Sequence, residues 1–168
     1  MESQLATDGR YLRPVGVGEL AISDDPFEVL ATYSLGSCVG VAAFDPVAAV
    51  AGLLHAQIPL SRQDPKQAAS WPARFTDTGM LALLDGLYAR GAKADRLVVK
   101  AAGGSSLLDE EGRFRIGERN IAVLRKVLWR NAIALSASDL GGSHPRTMYF
   151  HVRDGRLDIR SHGTTAEL

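Results

Sequence analysis

The chain has 168 residues, 46% of them hydrophobic, and carries 19 Lys and Arg against 19 Asp and Glu. That length suits one domain with a real core, and zero net charge argues against a protein whose main task is gripping nucleic acid through its phosphates. A single cysteine, Cys38, excludes a disulfide within the chain, and no apolar run approaches the roughly 18 residues needed to span a bilayer, so a cytoplasmic protein without membrane insertion is expected.

Residues 1–14 are polar and mixed in charge, without the apolar stretch of a signal peptide, and read as a loose N-terminal arm. Val15 to Ser23 alternates as a first strand and is broken by Asp24-Asp25-Pro26. Glu28 to Ser34 and Cys38 to Phe44 are strand-like and are joined by the tight turn Leu35-Gly36-Ser37. After the Asp45-Pro46 turn, Ala49 to Ile58 is the next strand, stopped by Pro59. Ser61 to Ala73 is polar, holds Pro65 and Pro72, and reads as a surface loop.

Phe75 to Arg90 has helical spacing, with Met80, Leu83, Leu84 and Leu87 on one face, Asp77 near its positive end and Gly91 as its stop. Asp95 to Ala102 is a strand around the continuous run Leu97-Val98-Val99, followed by the turn Gly103-Gly104-Ser105-Ser106. Ile116 to Asn131 is the second main helix, its apolar face made by Ile121, Leu124, Val127 and Leu128. Ile133 to Leu140 ends at Gly141-Gly142. Thr147 to Val152 alternates cleanly, and Asp154-Gly155 is a hairpin turn into Leu157 and Ile159. The stretch 161–168 reads as a frayed tail, which leaves 15–160 as a single domain. Strands dominate, and most connections are too short for helical crossovers, so the fold class is α+β: layered, with largely antiparallel or mixed sheets and two main helices.

Cys38 lies in a turn between apolar segments, where a substrate can reach it. His55 follows in Gly52-Leu53-Leu54-His55-Ala56-Gln57-Ile58-Pro59, so a thiol and an imidazole stand at the ends of neighbouring strand-like runs. These are the minimum parts for thiolate catalysis. A free thiol is protonated near pH 7, its pKa being about 8.5, and a neighbouring histidine can take that proton and hold a thiolate–imidazolium pair. Gly36 and Ser37 can turn backbone N–H groups towards a developing oxyanion. Against this stands the ordinary fate of a lone cysteine or strand histidine, which is to pack in a core. His144, His151 and His162 have no zinc spacing, so no metal is expected, and His151 reads as a solvated strand residue. Gly103-Gly104 and Gly141-Gly142 lack the Gly-Lys-Ser/Thr of a phosphate loop. The basic residues of the second helix read as a solvated face or a docking surface, and Asp139 as structural.

Several of these segments together resemble the CheD family, the chemoreceptor glutamine deamidases of chemotaxis, from about Gly18 to Ile159. Thr32 followed by Leu35-Gly36-Ser37-Cys38-Val39 is similar to that family's nucleophile segment, and Gly52 to Pro59 to its histidine segment. Lys100 with Gly103-Gly104, Ile116-Gly117-Glu118-Arg119-Asn120, and Asp139-Leu140-Gly141-Gly142 with Arg146 follow in the family's order. The resemblance implies an α/β sandwich of the toxin-deamidase kind and makes 15–160 one catalytic domain. It implies a protein-glutamine glutaminase with Cys38, His55 and Thr32 as the catalytic trio and no cofactor. The substrate would be chemoreceptor (methyl-accepting chemotaxis protein) cytoplasmic helices, with glutamate methyl ester hydrolysis as a secondary activity and a CheC-type phosphatase as a further partner. Two positions depart from the family pattern: Ser105, where alanine is common, and Pro145, where glycine is common. Two rivals remain at this point: a binding module with little turnover that regulates a phosphatase or receptor, and a thiol amidase for small substrates.

Overall fold

Seven consecutive residues of β4 (Val39–Asp45) and seven of β5 (Val50–Ala56) are buried, the mark of central strands covered on both faces. The structure is a computed structural model describing residues 9–106 and 113–168. Its remaining strands are β1 (Tyr11–Pro14), β2 (Leu20–Ser23), β3 (Glu28–Leu35), β6 (Val98–Gly103), β7 (Leu135–Leu140), β8 (Arg146–His151), β9 (Leu157–Ser161) and β10 (Thr164–Glu167). The helices are α1 (Pro65–Ser70), α2 (Thr76–Tyr88) and α3 (Ile116–Arg130).

The strands form two five-stranded sheets, β1-β3-β8-β9-β10 and β2-β5-β4-β6-β7. Most neighbours are antiparallel, but β1 runs parallel to β3 and β6 parallel to β7, so both sheets are mixed. The β6–β7 pair is parallel because α3 carries the chain back between them. Leu30, Leu35, Met148, Phe150 and Leu157 of the first sheet meet Ala42, Phe44, Ala51, Leu53 and Ala102 of the second in one core. On the other face of the second sheet, Val39, Val41, Val50 and Leu54 pack against Met80, Leu83, Leu84 and Leu87 of α2 and Leu124 and Leu128 of α3. The result is three layers, sheet on sheet on helices: the expected α+β class.

Four local expectations change. Val15 to Ser23 is not one strand. The Val15 N–H bonds to Ala31 O at 2.7 Å in the first sheet, and the Gly18 N–H bonds to His55 O at 2.8 Å in the second. The segment thus crosses between the sheets before β2 begins. The arm expected over 1–14 contains β1, paired with β3, and residues 1–8 lie outside the described residues. The tail expected to fray over 161–168 contains β10, paired with β9 from Thr164 to Glu167. The loop Ser61 to Ala73 holds α1, whose N-terminus is capped by the Asp64 carboxylate accepting from Gln67 N–H, with Pro65 in the first turn.

Candidate active site

The chain leaves β3 at Leu35 and enters β4 at Val39, so Gly36, Ser37 and Cys38 form the loop between sheets. Ahead of it the β3–β8 register breaks between Thr32 and Leu35, and Ser34 has a positive φ of 55°. All three loop carbonyls are held. Gly36 O accepts from Ser105 N–H at 2.8 Å, and Cys38 O from Gly104 N–H at 2.7 Å. Ser37 O accepts from the Asn120 side-chain amide at 2.8 Å. Gly103 is required beside the loop: its φ is +103°, and a Cβ there would run into the Cys38 carbonyl oxygen. Cys38 itself is half-buried and packs against the core between the sheets.

His55 lies directly across from Gly40 in the β4–β5 pair. Cys38 is two residues before Gly40 and shares its face, so thiol and imidazole are diagonal neighbours on the side that looks into the gap between sheets. From the opposite sheet, Thr32 Oγ1 reaches His55 Nδ1 at 2.7 Å and Val15 O at 2.7 Å. A carbonyl only accepts, so the single hydroxyl proton of Thr32 goes to Val15 O. Thr32 must therefore accept from His55, which fixes the proton on Nδ1 and leaves a lone pair on Nε2. His55 Nε2 is buried and has no hydrogen-bond partner. The ring is thus oriented with its basic nitrogen unoccupied.

Burial depresses the His55 pKa from 6.5 to about 4, against a small opposing pull from Glu19. Burial also pushes the Cys38 thiol above its ordinary value, partly countered by its own backbone N–H. Both shifts favour neutral forms. They work against the standing thiolate–imidazolium pair that the residue types alone suggested.

Behind the loop is a polar junction whose members carry no chemical motif. Asn120, fully buried on α3, donates from Nδ2 to Ser37 O at 2.8 Å and to Gln57 O at 3.0 Å, and its Oδ1 accepts from the Thr76 hydroxyl at 2.8 Å. Ser105 is fully buried, and its Oγ is, like His55 Nε2, without a partner. Arg146, 2% exposed, pairs with Asp139 and donates to Gly141 O at 2.6 Å, so the Asp139…Arg146 segment braces the double-glycine turn. His151 corrects an expectation. It is buried, with Nδ1 accepting from Arg10 at 2.7 Å and Nε2 bonded to Asp158 at 2.9 Å, because β8 is an inner strand. The rings of His144 and His162 meet with centroids 4.6 Å apart, tilted by 43°, and among the described residues no group of His, Cys, Asp and Glu is arranged to hold a metal ion.

Residues 57–161 match the family model described as CheD chemotactic sensory transduction. The chain is 44% identical over 154 residues to a probable chemoreceptor glutamine deamidase CheD 2 of Anaeromyxobacter dehalogenans, covering 92% of this chain and 97% of that one. It is 42% identical over 154 residues to a probable chemoreceptor glutamine deamidase CheD of Solibacter usitatus, covering 92% and 91%. A probable chemoreceptor glutamine deamidase CheD 1 of Syntrophus aciditrophicus is 38% identical over 149 residues, covering 89% and 93%. The family-model match starts just beyond His55, whereas the full-length relatives align across about nine-tenths of the chain.

Proposed function

Because this chain belongs to the CheD family, whose relatives are named chemoreceptor glutamine deamidases, we propose that Cys38, His55 and Thr32 hydrolyse glutamine side chains on chemoreceptor cytoplasmic helices to glutamate. As the side-chain amide arrives, His55 Nε2 removes the Cys38 thiol proton and the sulfur bonds to the amide carbon. N–H groups of the Gly36-Ser37-Cys38 loop receive the developing oxyanion. The imidazolium returns its proton to the amide nitrogen, the C–N bond breaks, and ammonia leaves a thioester. Water then adds as Nε2 takes its proton, the C–S bond breaks, the thiol is restored, and the product is glutamate.

One observation carries this reading: Thr32 spends its only proton on Val15 O, so Nδ1 is protonated and Nε2 stands free as the base. The depressed basicity of His55 and the raised thiol work against a free-standing first transfer, so the proton moves as the sulfur bonds to carbon, and the same weak hold suits its return to the departing amine. A glutamate methyl ester enters the same path with methanol as leaving group. A substrate on receptor cytoplasmic helices calls for an enzyme in the cytoplasm. No helix among the described residues is long and apolar enough to cross a membrane. A CheC-type phosphatase is the further partner this family membership suggests, to be tested by co-purification.

The direct test incubates the protein with a receptor cytoplasmic fragment and maps Gln-to-Glu conversion by mass spectrometry. Conversion is expected with the native protein and absent with Cys38→Ala. Undiminished conversion by Cys38→Ala would overturn the mechanism.

A further inference from the structure

The loop that carries the thiol and the strand that carries the imidazole are separate pieces of chain, and one side chain holds both. The Asn120 side chain makes three hydrogen bonds among the described residues, and each ends on a different part of the chain. Nδ2 reaches the carbonyl of Ser37, the residue before Cys38, and the carbonyl of Gln57, two residues after His55. Oδ1 accepts from Thr76 at the start of α2. The amide orientation is forced. Turned over, it would set Oδ1 against two carbonyl oxygens, none of which can donate. Thr76 is in turn fixed by its own backbone, since its N–H bonds to Ile58 O at 2.7 Å, and Gln57 N–H bonds to Arg74 O at 2.9 Å.

We infer that Asn120 is a positioning residue that sets the separation of the Cys38 sulfur and His55 Nε2. This rests on the catalytic reading of Cys38 and His55. Asn120 is fully buried, so substrate does not touch it and its effect passes through backbone. The logic is one of geometry: no hydrogen bond joins Nε2 to any group at rest, so the alignment of base and nucleophile comes from the parts of the chain that carry them. The β4–β5 ladder joins the two parts from Val39 and Gly40 onward, and the bonds from Asn120 Nδ2 tie the turn ahead of Cys38 to the chain just past His55, where that ladder has ended. Misplacement of reacting groups by about 1 Å can cost on the order of a hundredfold in rate.

The test measures kcat and KM for receptor-fragment deamidation by native protein, Asn120→Ser and Thr76→Val, each corrected for its folded fraction by thermal melting. Cys38→Ala is run beside them. The expected result is a kcat for Asn120→Ser lowered by roughly 10- to 100-fold with KM within twofold of native. Thr76→Val removes only the support on Oδ1 and should lower kcat less, by about three- to tenfold. A purely structural role would lower melting temperature and leave kcat per folded molecule unchanged. Should Asn120→Ser not fold, Thr76→Val decides. Native kcat per folded molecule in that variant, or in both, overturns the inference while leaving an active native enzyme and a dead Cys38→Ala. Loss of the catalytic reading itself looks different: Cys38→Ala then converts as well as native, and the positioning role falls with it.

Discussion

At the β8–β9 hairpin, the ring of His151 has both nitrogens engaged, one by Arg10 and the other by Asp158, whose carboxylate is also gripped by Arg156 at 3.0 and 2.7 Å. In the gap between the sheets, His55 has one nitrogen engaged, by an uncharged hydroxyl, and the other free. The two rings carry opposite tautomers. Arg10 can only donate, so His151 has its proton on Nε2, whereas Thr32 fixes that of His55 on Nδ1. Both are buried strand histidines, and burial alone does not tell them apart. What differs is closure. A buried polar group with no partner carries a desolvation cost of about 1–3 kcal/mol, and a fold that sustains that cost beside a thiol has kept a lone pair available for chemistry.

The sharpest way to break that contrast is to remove each ring. His55→Ala is expected to lower kcat for glutamine deamidation by roughly 10²- to 10⁴-fold, the usual contribution of a general base, measured by the rate of Gln-to-Glu conversion. An activity near native would mean the free nitrogen is not the base. Next in size is a pH effect on stability. An unfolded His55 takes a proton below its ordinary pKa of 6.5, while the folded ring stays neutral down to about 4. Between those values the unfolded chain binds more protons, so stability should fall as pH drops from about 6.5 to about 4, by up to about 3 kcal/mol. Denaturant melts of native protein and His55→Ala across that window check it, and the variant should lose that part of the slope.

The opposite outcome is expected at the hairpin. His151→Ala should cost about 1–3 kcal/mol of stability by taking a partner from both Arg10 and Asp158, with deamidation per folded molecule unchanged. A large loss of kcat there would erase the distinction between the two regions. The smallest effect belongs to Ser105. Its hydroxyl is buried without a partner, so Ser105→Ala should raise stability by roughly 1 kcal/mol, seen as a melting temperature about 2–4 °C higher. A drop in stability would show that the hydroxyl has a partner in solution.

The chemically distinctive side chains were legible in the sequence, and their supports were not. Cys38 and His55 announce themselves as an isolated thiol and an imidazole at the ends of apolar runs, and Thr32 follows from the family resemblance. Asn120 stands 83 residues from Ser37 and 63 from Gln57, and an asparagine in a helix has no local signal that its amide will meet two distant carbonyls. The central strands were readable because long buried runs are apolar. The edge strands β1 and β10 were not, since edge positions tolerate polar and exposed residues: all of Thr164–Glu167 is exposed. Asp64-Pro65 was a helix-start signal overlooked within a polar stretch. His151 was misjudged because alternation assigns faces within one strand and does not say that Arg10 and Asp158 cover the outer face.

The Thr32–His55 hydrogen bond spans the gap between the two sheets, as does the Arg146–Asp139 pair. A polypeptide with both sheets formed but undocked has its sulfur in place and its imidazole free to spin. Competence for receptor modification therefore requires the closed sandwich, because the base is oriented only when Thr32 of one sheet meets His55 of the other.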